Sequence, residues 1–117
     1  MLKIRSEQIE TLRKSVRKEF EDDMVIHLQT SFSSEIEGMS EEELRQEIRS
    51  GIERAEKYDI VISTDVSRFI EYSVCYGSDF DVTDKLKWIS EILNDNSLDG
   101  TEKMDMIDET ERDILLS

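Results

Sequence analysis

The stretch 6–32, SEQIETLRKSVRKEFEDDMVIHLQTSF, decides the fold of this chain. Its large apolar residues recur every three or four positions, which places them along one face of an α-helix. These residues are Ile9, Leu12, Val16, Phe20, Met24, Leu28 and Phe32. A helix cannot bury so long a stripe by itself, so we expect the later segments to pack along it. The first helix is therefore predicted to be the central element of the molecule.

The rest of the chain contains signals for shorter helices. Ser40-Glu41-Glu42-Glu43 has the pattern of a capping box, with Met39 placed to pack against Leu44, and it predicts the start of a second helix. Within that helix, Gly51 would allow a neighbour to approach closely. We expect helices over about 6–33, 41–58, 65–76, 84–94 and 101–115. The residues expected to face inward on the later helices are Leu44, Ile48, Ile52, Ala55, Val66, Phe69, Ile70, Val74, Leu86, Trp88, Ile89, Ile92, Leu93, Met104, Ile107 and Ile114.

The segment Ile60-Val61-Ile62 is β-branched, and we interpret it as an extended linker because no second β-rich segment is available to pair with it. The following helix is expected to be capped by Ser63 or Thr64 and to end at Gly77. A chain of 117 residues has room for one modest core, and this one contains no proline. We therefore predict an all-α fold, with residues 1–117 forming one small domain of four or five helices packed around the long N-terminal helix.

The formal net charge of −14 narrows the class of partner. It argues against nucleic acid and against anionic membrane surfaces, which basic side chains would have to meet. A basic protein partner is the natural complement, although the charge could equally serve only to keep the protein soluble. The acidity is uneven, because residues 1–18 contain six Lys or Arg and only two Glu. Self-association is compatible with this composition.

Cysteine usage and hydropathy indicate a cytoplasmic protein. Cys75 is the single cysteine, so no disulfide can form within the chain, which suits a reducing compartment. The N-terminal sequence MLKIRSEQIE lacks the apolar core of a signal peptide, and no later run approaches the length of a membrane span.

Few residues could support catalysis. His27 is the only histidine and is expected to lie at the surface or to be satisfied by a neighbour, whereas Cys75 is expected to be buried as a small apolar side chain. The sequence contains neither a phosphate-binding glycine loop nor a G-x-S-x-G turn. We therefore predict a protein that is not an enzyme and that needs no cofactor.

Two acidic stretches have some features of metal sites. Asp95-Asn96-Ser97-Leu98-Asp99-Gly100 matches the opening of an EF-hand loop, but Met106 stands where the bidentate Glu is required and Lys103 occupies another ligand position. Asp79, Asp81 and Asp84 alternate in a second stretch, for which helix capping is the better explanation. One His and one Cys cannot supply a usual structural zinc site. No metal is predicted.

Several motifs together resemble a family of small bacterial proteins that are often encoded beside type VI secretion effectors and their spike proteins. The matching residues are Ile4-Arg5-x-Glu7-Gln8, Phe20-x-x-x-Met24-Val25-x-His27-Leu28, Leu44-Arg45-x-x-Ile48-Arg49-x-Gly51-Ile52-x-x-Ala55, Asp65-Val66-x-x-Phe69-Ile70 and Gly77-x-Asp79-Phe80-Asp81 followed by Trp88. The resemblance covers about residues 4 to 93. At two positions, Ser33 and Asp59 stand where the family has Pro and Gly.

The resemblance implies an accessory role, either as an adaptor or co-chaperone that loads an effector, or as an immunity protein that neutralises one. We favour the adaptor, because the resemblance is spread along the helices. Immunity is the alternative, because strong acidity suits the blocking of a basic cleft. The expected partner is thus another protein, a secreted effector or a secretion component.

Two sets of residues are candidates for contact with that partner. The loop at residues 76–81 combines aromatic and acidic side chains, namely Tyr76, Asp79, Phe80 and Asp81. The last helix offers acidic positions, namely Glu102, Asp105, Asp108, Glu109 and Glu111. The alternatives are that Phe80 belongs to the core while the aspartates cap helices, and that the last helix simply presents a solvated face.

Overall fold

A computed structural model describes residues 6–117, with side chains from residue 16 onward. The helices are α1 (Ser6–Ser31), α2 (Glu41–Lys57), α3 (Ser63–Tyr76), α4 (Lys87–Leu93) and α5 (Gly100–Leu116), with a 3-10 turn at Asp84–Leu86 before α4. No β-strand occurs within residues 6–117. The predicted all-α class is therefore confirmed.

Pairs of contacting side chains give the direction of each helix. Glu21 of α1 binds Arg45 and Arg49 of α2, whereas Arg17 lies opposite Glu56 near the end of α2, so these two helices are antiparallel. On the other side of α1, Met24 and His27 meet Ser67 and Glu71, so α1 and α3 run parallel.

Helix α5 also runs parallel to α3, since Thr101 meets Asp65 at one end and Glu111 meets Tyr76 at the other. Helix α3 thus lies between α1 and α5, with α2 packed across it. Near the centre of the α2–α3 contact, a Cβ added at Gly51 would lie 2.6 Å from Cγ1 of Ile70. The predicted close approach at Gly51 is confirmed.

Among the described side chains of α1, the apolar stripe is buried toward the C-terminal end of the helix. Met24 and Leu28 are buried and Phe20 and Phe32 are partly buried, as predicted, but Val16 is 57% exposed. The reason is the length of α2, which ends at Lys57 and offers no surface beyond Arg17. Ile9 and Leu12 lie outside the residues whose side chains are described.

The start of α2 follows the sequence signal. The side chain of Ser40 accepts a hydrogen bond from the amide of Glu43 at 3.1 Å, and Glu43 in turn accepts one from the amide of Ser40 at 3.2 Å. The capping box is therefore confirmed. Helix α1 ends at Ser31 instead of residue 33, although the amide of Phe32 still donates to the carbonyl of Leu28.

The predicted cap of α3 is wrong. The helix begins at Ser63 and its N-cap is Ile62, which makes no side-chain capping hydrogen bond. Ser63 and Thr64 are instead exposed members of the first turn, while Asp65 turns inward and is buried. Before them, Ile60 is buried and Val61 and Ile62 are exposed, in the irregular linker that was expected. Gly77 ends the helix at a φ of 109°, as predicted.

The two C-terminal helices differ from expectation at their ends. A helix was predicted to begin at about residue 84, but the 3-10 turn occupies Asp84–Leu86, so α4 is short. Ile89 and Leu93 of α4 are buried as predicted. In α5, Met104 and Ile107 are buried but Ile114 is 49% exposed. Since α3 ends at Tyr76, opposite Glu111, the last turn of α5 extends past its neighbour.

Candidate protein-binding groove

The outward face of α3 forms the floor of a shallow groove of about 280 Å³, which we call the α3 groove. Its floor residues recur along α3 at spacings of three and four, and among them Tyr72 is buried while Tyr76 is 42% exposed. Phe32 at the end of α1 forms one wall and α5 forms the other. The lining residues are Phe32, Arg68, Glu71, Tyr72, Cys75, Tyr76, Asp108 and Glu111.

Aromatic rings give the groove a rigid apolar base. The ring of Tyr72 stacks on that of Tyr76, with 5.9 Å between centroids and 14° between planes. Tyr72 also stacks on Phe80 at 6.0 Å, and Phe80 contacts Phe69 edge-on at 4.9 Å. This series of rings connects the floor of the groove to the core, while Tyr76 remains 42% exposed at the surface. The groove therefore presents an aromatic surface that the core holds in place.

One guanidinium organises the α5 wall. Arg68 lies 3.0 Å from Asp65, 2.9 Å from Asp105 and 2.5 Å from Asp108. Burial opposes the charge of Arg68, but its hydrogen bonds to Asp108 and Asp105 outweigh that effect and raise its pKa above the usual value. Arg68 is thus a permanent cation held by three carboxylates, and it joins α3 to α5.

The tyrosine hydroxyls donate to the remaining carboxylates. The hydroxyl of Tyr72 lies 2.7 Å from Asp108 and 3.2 Å from Glu111, so its single proton is shared between them. The hydroxyl of Tyr76 also donates to Glu111. Burial and the bond to Asp108 raise the pKa of Tyr72, whereas the bond to Glu111 and partial burial raise the pKa of Tyr76 to about 12. Both hydroxyls remain donors at neutral pH.

The carboxylates that line the groove outnumber the cations that line it. Glu71, Asp108 and Glu111 line it against the single cation Arg68. Within residues 16–117, neither Glu71 nor Glu111 makes an ion pair with a Lys or Arg, and Nε2 of His27 lies 3.6 Å from the carboxylate of Glu71. A basic ligand bound in the groove would therefore contact carboxylates as well as the aromatic floor.

The structure brings some of the predicted contact residues together in this groove. Tyr76, Asp108 and Glu111 line it, and Asp105 adjoins it through Arg68. Glu102 instead caps α5 by accepting a hydrogen bond from the amide of Asp99 at 3.0 Å. The other predicted residues outside the groove are Asp79, Glu109, Phe80 and Asp81, of which the first two are exposed.

Phe80 and Asp81 require a correction, because the structure buries both. Phe80 is fully buried among aromatic rings, and Asp81 is only 4% exposed. Asp81 accepts a hydrogen bond from the hydroxyl of Tyr58 at 2.8 Å and lies 3.5 Å from the guanidinium of Arg54. It therefore serves as a buried partner of α2, neither a surface contact nor a helix cap.

Most of the residues that form the floor of the groove were not predicted from the sequence. Arg68, Glu71, Tyr72 and Cys75 were not among the predicted contacts. Their spacing of three and four residues along α3 is the signal that could have identified them. Cys75 was expected to be buried but is exposed. Partial desolvation and the nearby carboxylates raise its pKa, which disfavours the thiolate that a nucleophilic role would need.

The remaining chemical candidates have local structural roles. Asp95 accepts hydrogen bonds from the amide and hydroxyl of Ser97, at 2.9 Å and 2.6 Å, and these bonds lower its pKa. His27 is half-buried and packs edge-on against Phe32 at 5.6 Å. In the described part of the chain, no cluster of three or more His, Cys, Asp or Glu is arranged to hold a metal ion. None of the helices described is long and apolar enough to cross a membrane.

Comparisons of the chain with protein-family models, with curated proteins and with solved structures found no match.

Proposed function

We propose that this protein is a non-catalytic binding module of type VI secretion, which holds a basic segment of an effector in the α3 groove as an adaptor or co-chaperone. The observation that carries the proposal is the proximity of the Tyr72–Tyr76 floor to Glu71 and Glu111, neither of which makes an ion pair with a Lys or Arg among the described residues. The link to secretion comes from the sequence resemblance over residues 4 to 93.

The chemistry of the groove favours Lys and Arg over other side chains. A cation placed over a tyrosine ring gains a cation–π attraction of about 0.5–2 kcal/mol. Glu71 and Glu111 can at the same time accept charge-assisted hydrogen bonds from that cation. The net charge of −14 would also speed the encounter with a basic partner and disfavour acidic ones.

Immunity is the second candidate function, and the net charge favours it. An acidic protein of this size could cover the basic active-site cleft of a toxin, in which case the groove would be one part of a larger contact. The two functions differ in their effect on a cell that makes the effector. An adaptor raises the amount or the secretion of the effector, whereas an immunity protein rescues the poisoned cell.

The test is co-expression with the effector that the resemblance predicts to be encoded nearby, using two variants of equal charge. Glu111→Lys places a cation in the groove, whereas Glu109→Lys makes the same charge change on the opposite side of α5. We expect Glu109→Lys to behave as the unmodified protein and Glu111→Lys to lose effector stabilisation. Rescue without stabilisation would assign immunity. Equal behaviour of the two variants would overturn the role of the groove.

A further inference from the structure

The chain contains a segment whose chemistry complements the α3 groove. Residues 1–18 hold six Lys or Arg against two Glu, in a protein that is otherwise strongly acidic. From their spacing in the sequence, Ile9, Leu12 and Val16 are predicted to share one helical face, with basic residues next to them in the sequence. The sequence pattern thus predicts a basic amphipathic face on the part of α1 from residue 9 to residue 18, the class of ligand that an acidic groove with an aromatic floor would accept.

The body of the protein leaves the described end of this segment uncovered. Val16 is 57% exposed although it continues the stripe that Met24 and Leu28 bury farther along α1. Arg17 and Lys18 are also exposed, and Arg17 makes only a long ion pair with Glu56, at 3.7 Å. Helix α2 ends at Lys57, just past Glu56, and so does not cover Val16.

The segment cannot reach the groove of its own copy. Helix α1 runs unbroken from Ser6 to Ser31, and Phe32, which follows it, forms a wall of the groove. At a rise of about 1.5 Å per residue, Leu12 and Phe32 lie about 30 Å apart along the helix axis. A helix without a break cannot fold back on itself, so only another molecule can bring this segment to the groove.

We propose that two copies of the chain associate reciprocally, with residues 9–18 of each helix α1 docked in the α3 groove of the other copy. Antiparallel pairing of the two α1 helices places the N-terminal half of each beside Phe32 of its partner. The arrangement is two-fold symmetric and closes, so it forms a dimer and not a filament. It uses the groove of the proposed function but goes beyond it, because self-association would compete with the effector for the same surface.

The first test is the self-association of the pure full-length chain, measured by sedimentation equilibrium with charge variants. Glu111→Lys should raise the dimer Kd by about tenfold or more, and so should Arg13→Glu combined with Lys14→Glu. Combining all three changes should recover much of the affinity, because the opposite charges then exchange places. Glu109→Lys is the matched control and should leave the Kd unchanged.

Two further measurements distinguish a loss of dimerisation from a loss of folding. Val16→Glu changes an exposed residue, so it should retain the helical circular dichroism of the protein while weakening the dimer. Cys75 lines the groove, so its rate of alkylation by iodoacetamide should fall as protein concentration rises, but not in Glu111→Lys.

A chain that stays monomeric up to about 1 mM, or that dimerises equally well with Glu111→Lys, would overturn the proposal. Its failure is distinguishable from failure of the proposed function. Self-association is measured on the pure chain, whereas effector loading is measured in cells that produce the effector.

Discussion

At the scale of single residues, two glycines set how closely the helices approach. A Cβ at Gly51 would meet the side chain of Ile70, at 2.6 Å from Cγ1. A Cβ at Gly100 would meet main chain, at 2.3 Å from the carbonyl oxygen of Asp59 and 2.9 Å from Cα of Ile60. A side chain can shift by rotation, whereas the turn at Asp59, which has a φ of 63°, has little freedom to move. The two sites should therefore differ in their tolerance of alanine.

We expect Gly51→Ala to lower the free energy of unfolding by about 1 kcal/mol, because overpacking against Ile70 is partly offset by the better helix propensity of alanine. Gly100→Ala should cost about 3 kcal/mol or more, because the linker backbone would have to move. Urea unfolding of both variants measures the difference, with Glu53→Ala as a control at an exposed position of α2. A Gly100→Ala variant as stable as the control would contradict the close contact.

At the scale of elements, the start of α5 combines a local cap with a tertiary contact. The side chain of Asp99 accepts a hydrogen bond from the amide of Glu102 at 2.8 Å, and the carboxylate of Glu102 accepts one from the amide of Asp99. One residue further on, the buried Lys103 donates to the carbonyl oxygen of Tyr58 at 2.9 Å. The cap therefore holds in place the end of α5 that anchors the linker before α3.

Asp99→Ala should lower the free energy of unfolding by about 1 kcal/mol, the usual cost of removing an N-cap side chain. Asp99→Asn should retain most of that stability, because asparagine caps about as well as aspartate. Urea unfolding followed by circular dichroism distinguishes the two variants. Equal losses in both would mean that the charge of Asp99, and not its capping hydrogen bond, is what matters.

At the scale of the whole molecule, tyrosines link the stability of the fold to alkaline pH. Burial and a hydrogen bond to Asp81 raise the pKa of Tyr58 to about 12, and the pKa values of Tyr72 and Tyr76 are raised as well. In the unfolded chain these phenols ionise near pH 10. Between pH 10 and 12 the unfolded state therefore loses protons that the folded state keeps, which favours unfolding.

The stability that these phenols contribute should thus be fully present below pH 10 and should decline from pH 10 to 12. Tyr58→Phe should show a shallower decline than the unmodified protein, because it removes one of the linked groups. Urea unfolding at a series of pH values measures both slopes. A slope unchanged by Tyr58→Phe would contradict the raised pKa of this group.

The features that could be read from the sequence are those that depend on neighbouring residues. The capping box at Ser40, the end of α3 at Gly77 and the buried stripe from Phe20 to Phe32 all follow from interactions within a few residues along one helix. Local signals failed where distant residues compete for a side chain. Asp81 resembled a helix cap because nothing nearby reveals its hydrogen bond with Tyr58, 23 residues earlier.

The α3 groove and the exposure of Val16 depend instead on how the helices pack. Arg68 and Asp108 are 40 residues apart and meet only because α3 and α5 run parallel, so no local spacing could have predicted their contact. Val16 continues a perfect helical stripe, yet it is exposed because α2 is too short to cover it. Helix periodicity specifies which face is apolar, but the length and direction of the neighbouring helices decide which part of that face is buried.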